Sequence, residues 1–212
     1  MKLAVLAGPN GAGKSTYSNL LLALNFLPTN PINLDYLERF IDESKLPHDM
    51  LRYQTVKENQ LEKLFYKWAN KAIKKKEPFS FENNLSFPAQ LHAIKPFADN
   101  GYHISIVYLC LDNIEHSKAR VAKRMAGGGH YVSEEKLIEN FNLGLQNLDE
   151  IYLDADEVFV MENNEELNQL RFSFHIKQGE IVKYFSTPKC FEKGNTPKLL
   201  KLISKYKKLN KG

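Results

Sequence analysis

Cysteine is scarce in this sequence. Cys110 and Cys190 are the two among 212 residues, with neither a CxxC spacing nor a histidine cluster near them, which excludes a disulfide framework and a structural zinc site. Long apolar runs are missing as well: none approaches the roughly 18 residues that a membrane span requires, so nothing here is expected to cross a membrane. The opening MKLAVLAGP has too short an apolar stretch for a secretory signal, and a glycine-rich string stands where a cleavage site would fall. The N-terminus therefore reads as structural and the chain as cytoplasmic. There is no internal repeat, no low-complexity segment and no G-x-G-x-x-G dinucleotide fingerprint. Acidic residues fall short of basic ones, 25 against 29, for a formal charge of +4. The surplus lies in Lys71 to Lys76 and in the tail from Lys198 to Lys211, a pattern that suits phosphorylated ligands without requiring nucleic acid.

What is present is an ordinary globular composition, 43% hydrophobic and 25% charged, in a chain long enough for one main domain. KLAVLA at 2 to 7 reads as a buried strand running into glycine, and TYSNLLLAL after Lys14 has helical apolar spacing. A second short strand is expected to end near Asn33 to Asp35, and a long amphipathic helix to run from about Asp49 to Lys76, stopped by Pro78. PFSFEN reads as a third strand, 88 to 98 as a helix and HISIVYLCL as the strongest buried strand. A helix over 114 to 126, broken by Gly127 to Gly129, precedes another that opens at Ser133, and DEVFVM is the fifth strand. This alternation predicts a three-layer α/β sandwich of the P-loop NTPase kind, with a mostly parallel five-stranded sheet and its ligands at the strands' C-terminal ends. Residues 1–170 would form that domain. Residues 171–212 would append a β-hairpin and a basic amphipathic helix, PKLLKLISKYKKL, docked with its lysine face in water.

The chemistry begins at GPNGAGKST. Gly8, Pro9, Asn10, Gly11, Ala12, Gly13, Lys14, Ser15 and Thr16 fit G-x-x-x-x-G-K-[ST]: glycines turn backbone N–H groups toward phosphate oxygens, and the helix that follows adds its positive end. Lys14 would reach the β- and γ-phosphates of ATP and Ser15 would help to hold Mg²⁺. Asp35, after the second strand, is placed either as the base that orients an acceptor hydroxyl or as the cap of a helix beginning at Tyr36. Glu82, Asn83, Asn84 and Ser86 form a polar cluster at a strand end, suited to a sugar hydroxyl, to Mg²⁺ through Glu82, or to a simple turn. Arg120 and Arg124 share a helix face with no carboxylate three or four residues away, so an anion between them or plain solvation would offset their repulsion. The triple glycine beyond them could hinge a lid. His130 reads as a hydrogen-bonded loop histidine.

In order, AGPNGAGKST, INLD, FSFENNLS, ARVAKRMAGGGHYVSEEKLIENFNLGLQNL and DEVFVMEN resemble the zeta-toxin family of P-loop kinases over about three quarters of the chain. The resemblance implies ATP- and Mg²⁺-dependent phosphorylation of a hydroxyl on a small-molecule acceptor, UDP-N-acetylglucosamine for the family's toxins. It implies Asp35 as base, Glu82 and Asn84 as acceptor-site residues, Arg120 and Arg124 as the phosphate-stabilising pair, and Asn163 near the nucleotide base. Toxin systems also pair with an antitoxin. Two departures stand out: the family's Glu-Thr-Thr is here Glu82, Asn83 and Asn84, and the arginine common before an aromatic residue is Asn140 before Phe141. An asparagine supplies no charge, so a different acceptor is open, and toxicity does not follow. An NTP-binding regulatory or nucleic-acid module, and a degenerate protein without turnover, are the alternatives.

Overall fold

The computed structural model describes residues 1–33, 37–47, 49–87, 91–128, 131–164, 169–192 and 195–210. Strand β1 (Lys2–Ala7) leads through a tight loop into helix α1 (Lys14–Ala23), and the long helix α2 (Met50–Lys75) precedes β2 (Phe79–Asn83). A short helix α3 (Lys95–Asp99), strand β3 (His103–Cys110), helices α4 (Ile114–Ala126) and α5 (Glu134–Ile151) and strand β4 (Glu157–Asn164) follow. The chain closes with β5 (Gln169–Lys177), β6 (Glu180–Tyr184), α6 (Lys189–Glu192) and α7 (Pro197–Leu209).

These strands make one six-stranded sheet in the order β2-β1-β3-β4-β5-β6. Pairings β1 with β2, β1 with β3 and β3 with β4 are parallel, whereas β4 with β5 and β5 with β6 are antiparallel. The expected α/β sandwich with a mostly parallel sheet is borne out in β1 to β4, and the sheet has six strands and is mixed because the hairpin adds β5 and β6 to it. Of the segment expected as a second strand, Leu34 and Asp35 lie outside the described residues, and the described part makes one parallel bridge, Ile32 to Phe81, with Ile32 N donating to Ser80 O and Glu82 N donating to Ile32 O. The hairpin, by contrast, joins the main sheet. Gln178 and Gly179 take φ of 49° and 77°, the left-handed pair that lets a two-residue turn match the strand twist. Within the helix expected over 88 to 98, Leu91 and His92 are helical, and α3 begins at Lys95 with proline in its first turn, where a missing N–H costs nothing. Residues 88 to 90 lie outside the described set.

Burial explains why β1 is central: Leu3 through Ala7 are all inaccessible to solvent, as a strand covered on both faces must be. Around β2, Phe79 stacks on Phe97 at 5.2 Å and Phe65 meets Phe81 edge-on at 5.2 Å. The Tyr102 hydroxyl lies 3.0 Å from Ala72 O and 2.8 Å from Glu77 O, its proton shared between the two, which ties Tyr102 to the turn that ends α2. Since β2 and β3 flank β1 on opposite sides, the chain's crossovers diverge above the C-terminal end of β1, which is where an open α/β sheet presents a crevice.

The tail is held by one carboxylate. Asp149 of α5, nearly inaccessible, accepts from the N–H groups of Lys198 and Leu199 at 3.0 and 2.7 Å, so a negative charge meets the positive end of α7. Leu199 and Ile203 enter the core, while Lys198 pairs with Glu150 and Lys205 with Glu180. Asp149→Ala should therefore lower stability by about 1–2 kcal/mol, measured by urea unfolding, with earlier proteolysis of the tail than of the sheet.

Candidate functional site

The loop between β1 and α1 is shaped by three glycines with positive φ. At Gly8, φ is 140°, and an added Cβ would sit 2.3 Å from Leu109 O. At Gly13, φ is 88°, and a Cβ would meet the Asn163 amide at 2.7 Å. Larger residues at either position would push the loop off the strands beneath it. Helix α1 starts without a side-chain cap and without acidic residues in its first turn. Its first N–H groups are thereby left for an anion.

Lys14 is only 8% exposed. Its ammonium donates to Gly8 O at 2.8 Å, Pro9 O at 3.1 Å and Asn84 Oδ1 at 2.9 Å, matching its three donors one for one. Burial pushes its pKa down to about 8; the Glu82 carboxylate opposes that shift and Arg124 adds to it. Ser15, exposed beside it, donates to both carboxylate oxygens of Glu82 at 3.3 and 3.1 Å. Hydroxyl and carboxylate together offer the hard oxygens that Mg²⁺ takes, and that ion ordinarily uses few protein ligands beside phosphate and water. No group of three or more metal-ligating side chains occurs among the described residues. Thr16 is also exposed, in the first turn of α1.

Helix α4 closes the other side. Asn113 caps it, accepting from His116 N, and that start sets Ser117 and Arg120 against the loop. Ser117 Oγ donates to Asn10 O at 2.6 Å and Arg120 Nη1 donates to Gly11 O at 3.1 Å. Arg124, one turn further, is exposed and near enough to Lys14 to affect its titration. Asn163, at the end of β4 and nearly buried, donates to Ala12 O at 3.0 Å and accepts from the Tyr17 hydroxyl at 3.4 Å and Arg120 Nη2 at 3.5 Å. Its amide braces the loop in this structure.

Beyond β2 the wall is neutral. Asn10 Oδ1 accepts from Asn140 Nδ2 at 2.8 Å and Asn84 Nδ2 at 3.4 Å, and Ser86 Oγ donates to Asn140 Oδ1 at 2.7 Å. Leu85, wholly buried, has φ of 59°, a strained conformation for a branched residue. Two amides hold it there: Asn83 Oδ1 accepts from Leu85 N, and Asn147 Nδ2 donates to Leu85 O. Helix α5 comes so close that a Cβ on Gly144 would lie 2.7 Å from Asn84 O.

Lys14, Ser15, Glu82, Asn84, Arg120 and Asn163 thus meet around one loop. Asp35, His130 and Gly129 lie outside the described residues. Sequence reasoning passed over Ser117, Tyr17 and the side chain of Asn10. Ser117 is three residues before Arg120, one helical turn on the same face, and that spacing is the signal available for it.

A profile of the zeta toxin family matches residues 2–171. The chain belongs to the zeta toxin family. An uncharacterized protein of Haemophilus influenzae is 30% identical over 64 residues, which are 30% of this chain and 46% of that one. Among solved structures, the AvrRxo1-ORF1:AvrRxo1-ORF2 complex with sulphate ions is similar at a TM-score of 0.65 and 13% identity, covering 92% of this chain and 64% of that one. The same complex with ATP gives 0.63 at 12% identity, covering 92% and 64%. The PezAT chromosomal toxin–antitoxin system of Streptococcus pneumoniae gives 0.56 at 13%, covering 99% and 87%. This member of the zeta toxin family therefore has the α/β fold of P-loop kinases, and it spans less than two thirds of the H. influenzae and AvrRxo1 chains.

The lowered pKa of Lys14 has a direct consequence for anion binding. Phosphates favour the ammonium form, so binding takes up a proton wherever the free lysine is neutral. Between about pH 8 and the higher pKa of the bound state, the association constant for ATP should fall about tenfold per pH unit. Calorimetric titrations from about pH 7 to 9.5 measure it, and Lys14→Met should abolish both the slope and most of the affinity.

Proposed function

We propose that this protein is an ATP-dependent phosphotransferase that moves the γ-phosphoryl group to a hydroxyl of a small molecule, a nucleotide sugar of the UDP-N-acetylglucosamine kind or a related metabolite. The observation that carries this reading is the meeting of Lys14, Ser15 and Glu82 at the C-terminal ends of β1 and β2, with Arg120 and Arg124 approaching from α4. Family membership supports it.

ATP, when bound, supplies the phosphoryl group. Lys14 and the first N–H groups of α1 hold and neutralise its phosphates, and Ser15 with Glu82 would hold Mg²⁺ there. Asp35 orients the acceptor hydroxyl and takes its proton late, because phosphoryl transfer has a loose transition state and depends mostly on positioning and charge. Arg120 and Arg124 stabilise charge on the transferring group, a contribution of about 10³–10⁵ in rate where an arginine plays that part. Asn84 and Glu82 face the acceptor. A wall of amides where the family carries threonine and arginine favours an acceptor recognised by neutral hydrogen bonds at that point.

No helix among the described residues is long and apolar enough to cross a membrane, and we place the reaction in the cytoplasm. The structures of AvrRxo1-ORF1 with ORF2 and of PezAT are of complexes or paired systems, which supports an antitoxin as this chain's protein partner. Nucleic acid is not required by any feature of the site, and several tail lysines are paired within the chain.

The purified protein should transfer label from γ-labelled ATP to UDP-N-acetylglucosamine or to an acceptor in a metabolite extract. Asp35→Ala and Lys14→Ala should abolish transfer, and Arg124→Ala should slow it by at least about 10²-fold. Label transfer that Asp35→Ala leaves intact, or none to any acceptor, would overturn the proposal.

A further inference from the structure

We infer that Asn84 is a latch on the loop lysine: it holds the Lys14 ammonium while the site is empty, and nucleotide must take the lysine from it. The inference rests on the ATP-binding part of the proposed function, and its test separates the two.

Donor counting carries it. An ammonium has three N–H groups, and those of Lys14 are all engaged, by Gly8 O, Pro9 O and Asn84 Oδ1. A lysine that bridges two phosphates must release at least two of these partners. Two belong to the loop itself and travel with it. Asn84 belongs to the segment after β2, which the strained Leu85 and the bonds from Asn83 and Asn147 hold in place, and which Gly144 of α5 backs so closely that a Cβ there would lie 2.7 Å from Asn84 O. The latch therefore stays where it is while the lysine moves.

The bond is built on one side as well. Asn84 Nδ2 donates to Asn10 Oδ1, the atom that Asn140 also contacts, and Asn140 accepts from Ser86. That chain of bonds orients the Asn84 amide with its oxygen toward Lys14. It also gives a reason for asparagine at positions 84 and 140, since the network needs a donor and an acceptor on each side chain. The charged groups that face Lys14 are Glu82 of β2 and Arg124 of α4. Neither supplies a hydrogen bond to it among those observed, so the neutral amide is its partner from outside the loop.

Nucleotide and Asn84 thus compete for one ammonium. Removing the amide oxygen leaves the phosphate cradle whole and the lysine easier to recruit. A hydrogen bond to a charged group is stronger than a neutral one, and part of its loss is made good once water replaces the missing partner. Asn84→Ala should therefore bind ATP about three- to tenfold more tightly than the natural protein, near pH 6.5 where Lys14 is charged. Asn84→Ser, whose hydroxyl is too short to reach, should do the same and serves if the alanine variant does not fold.

Two readouts decide it. Calorimetry with ATP gives the affinity, and an NMR titration of the Lys14 side chain in the ligand-free protein gives its pKa. That pKa should fall further below the usual lysine range in both variants, because the charged form has lost a partner. A purely structural role for Asn84 would weaken ATP binding and leave the titration in place. Equal or weaker ATP binding, or an unmoved Lys14 pKa, overturns the latch. If the natural protein binds no ATP, the phosphate-cradle reading fails, and the ligand-free titration still shows whether Asn84 holds the lysine.

Discussion

The buried ammonium of Lys14 is the constraint on which the rest of the site depends. A charge almost out of water is tolerable only if its donors are all matched, and here the loop bends its own carbonyls back to meet it. That bend requires glycine at 8 and 13, and it fixes where the first turn of α1 begins. The same desolvation that lowers the pKa of Lys14 makes the pocket hungry for negative charge. Glu82 supplies part of it from the neighbouring strand, and the phosphates of a nucleotide would supply the rest.

Around that centre the walls differ in character. Toward α4 the contacts are cationic: Arg120 on Gly11 O, with Arg124 exposed one turn on. Toward β2 they are amides, with Asn10, Asn84 and Asn140 joined through side-chain bonds and tied to Ser86. A charged wall suits a transferring phosphoryl group. An amide wall discriminates by shape and by hydrogen-bond pattern, since a mismatched partner leaves a desolvated polar group alone. In the proposed reaction this division would put the phosphates on one side of the loop and the acceptor on the other.

Much of the frame was legible in the sequence because it is local. The apolar run of β1 into glycine, the amphipathic stretch of α2 and the cap at Ser133 all announce themselves in a few adjacent residues. The exceptions depend on distant partners. INLD looks like a strand, and among the described residues it makes a bridge to β2 at Ile32. The hairpin looks detached until β4 offers it an edge. In the site, Lys14, Ser15 and Glu82 were named from motif and position. The links through Asn10, Ser117 and Asn140 could not be, because a polar side chain says nothing of its partner when the two are over a hundred residues apart.

In the proposed reaction this loop holds nucleotide phosphates, with Lys14 and Ser15 as one wall of a phosphotransfer site. A crystal structure of the protein with Mg²⁺ and a non-hydrolysable ATP analogue tests it most directly. The phosphates should lie between Gly8 and Ser15, with the Lys14 ammonium moved from Asn84 onto β- and γ-phosphate oxygens and the metal beside Ser15 and Glu82. A nucleotide bound elsewhere, or phosphates in the loop with Lys14 still on Gly8, Pro9 and Asn84, would contradict it.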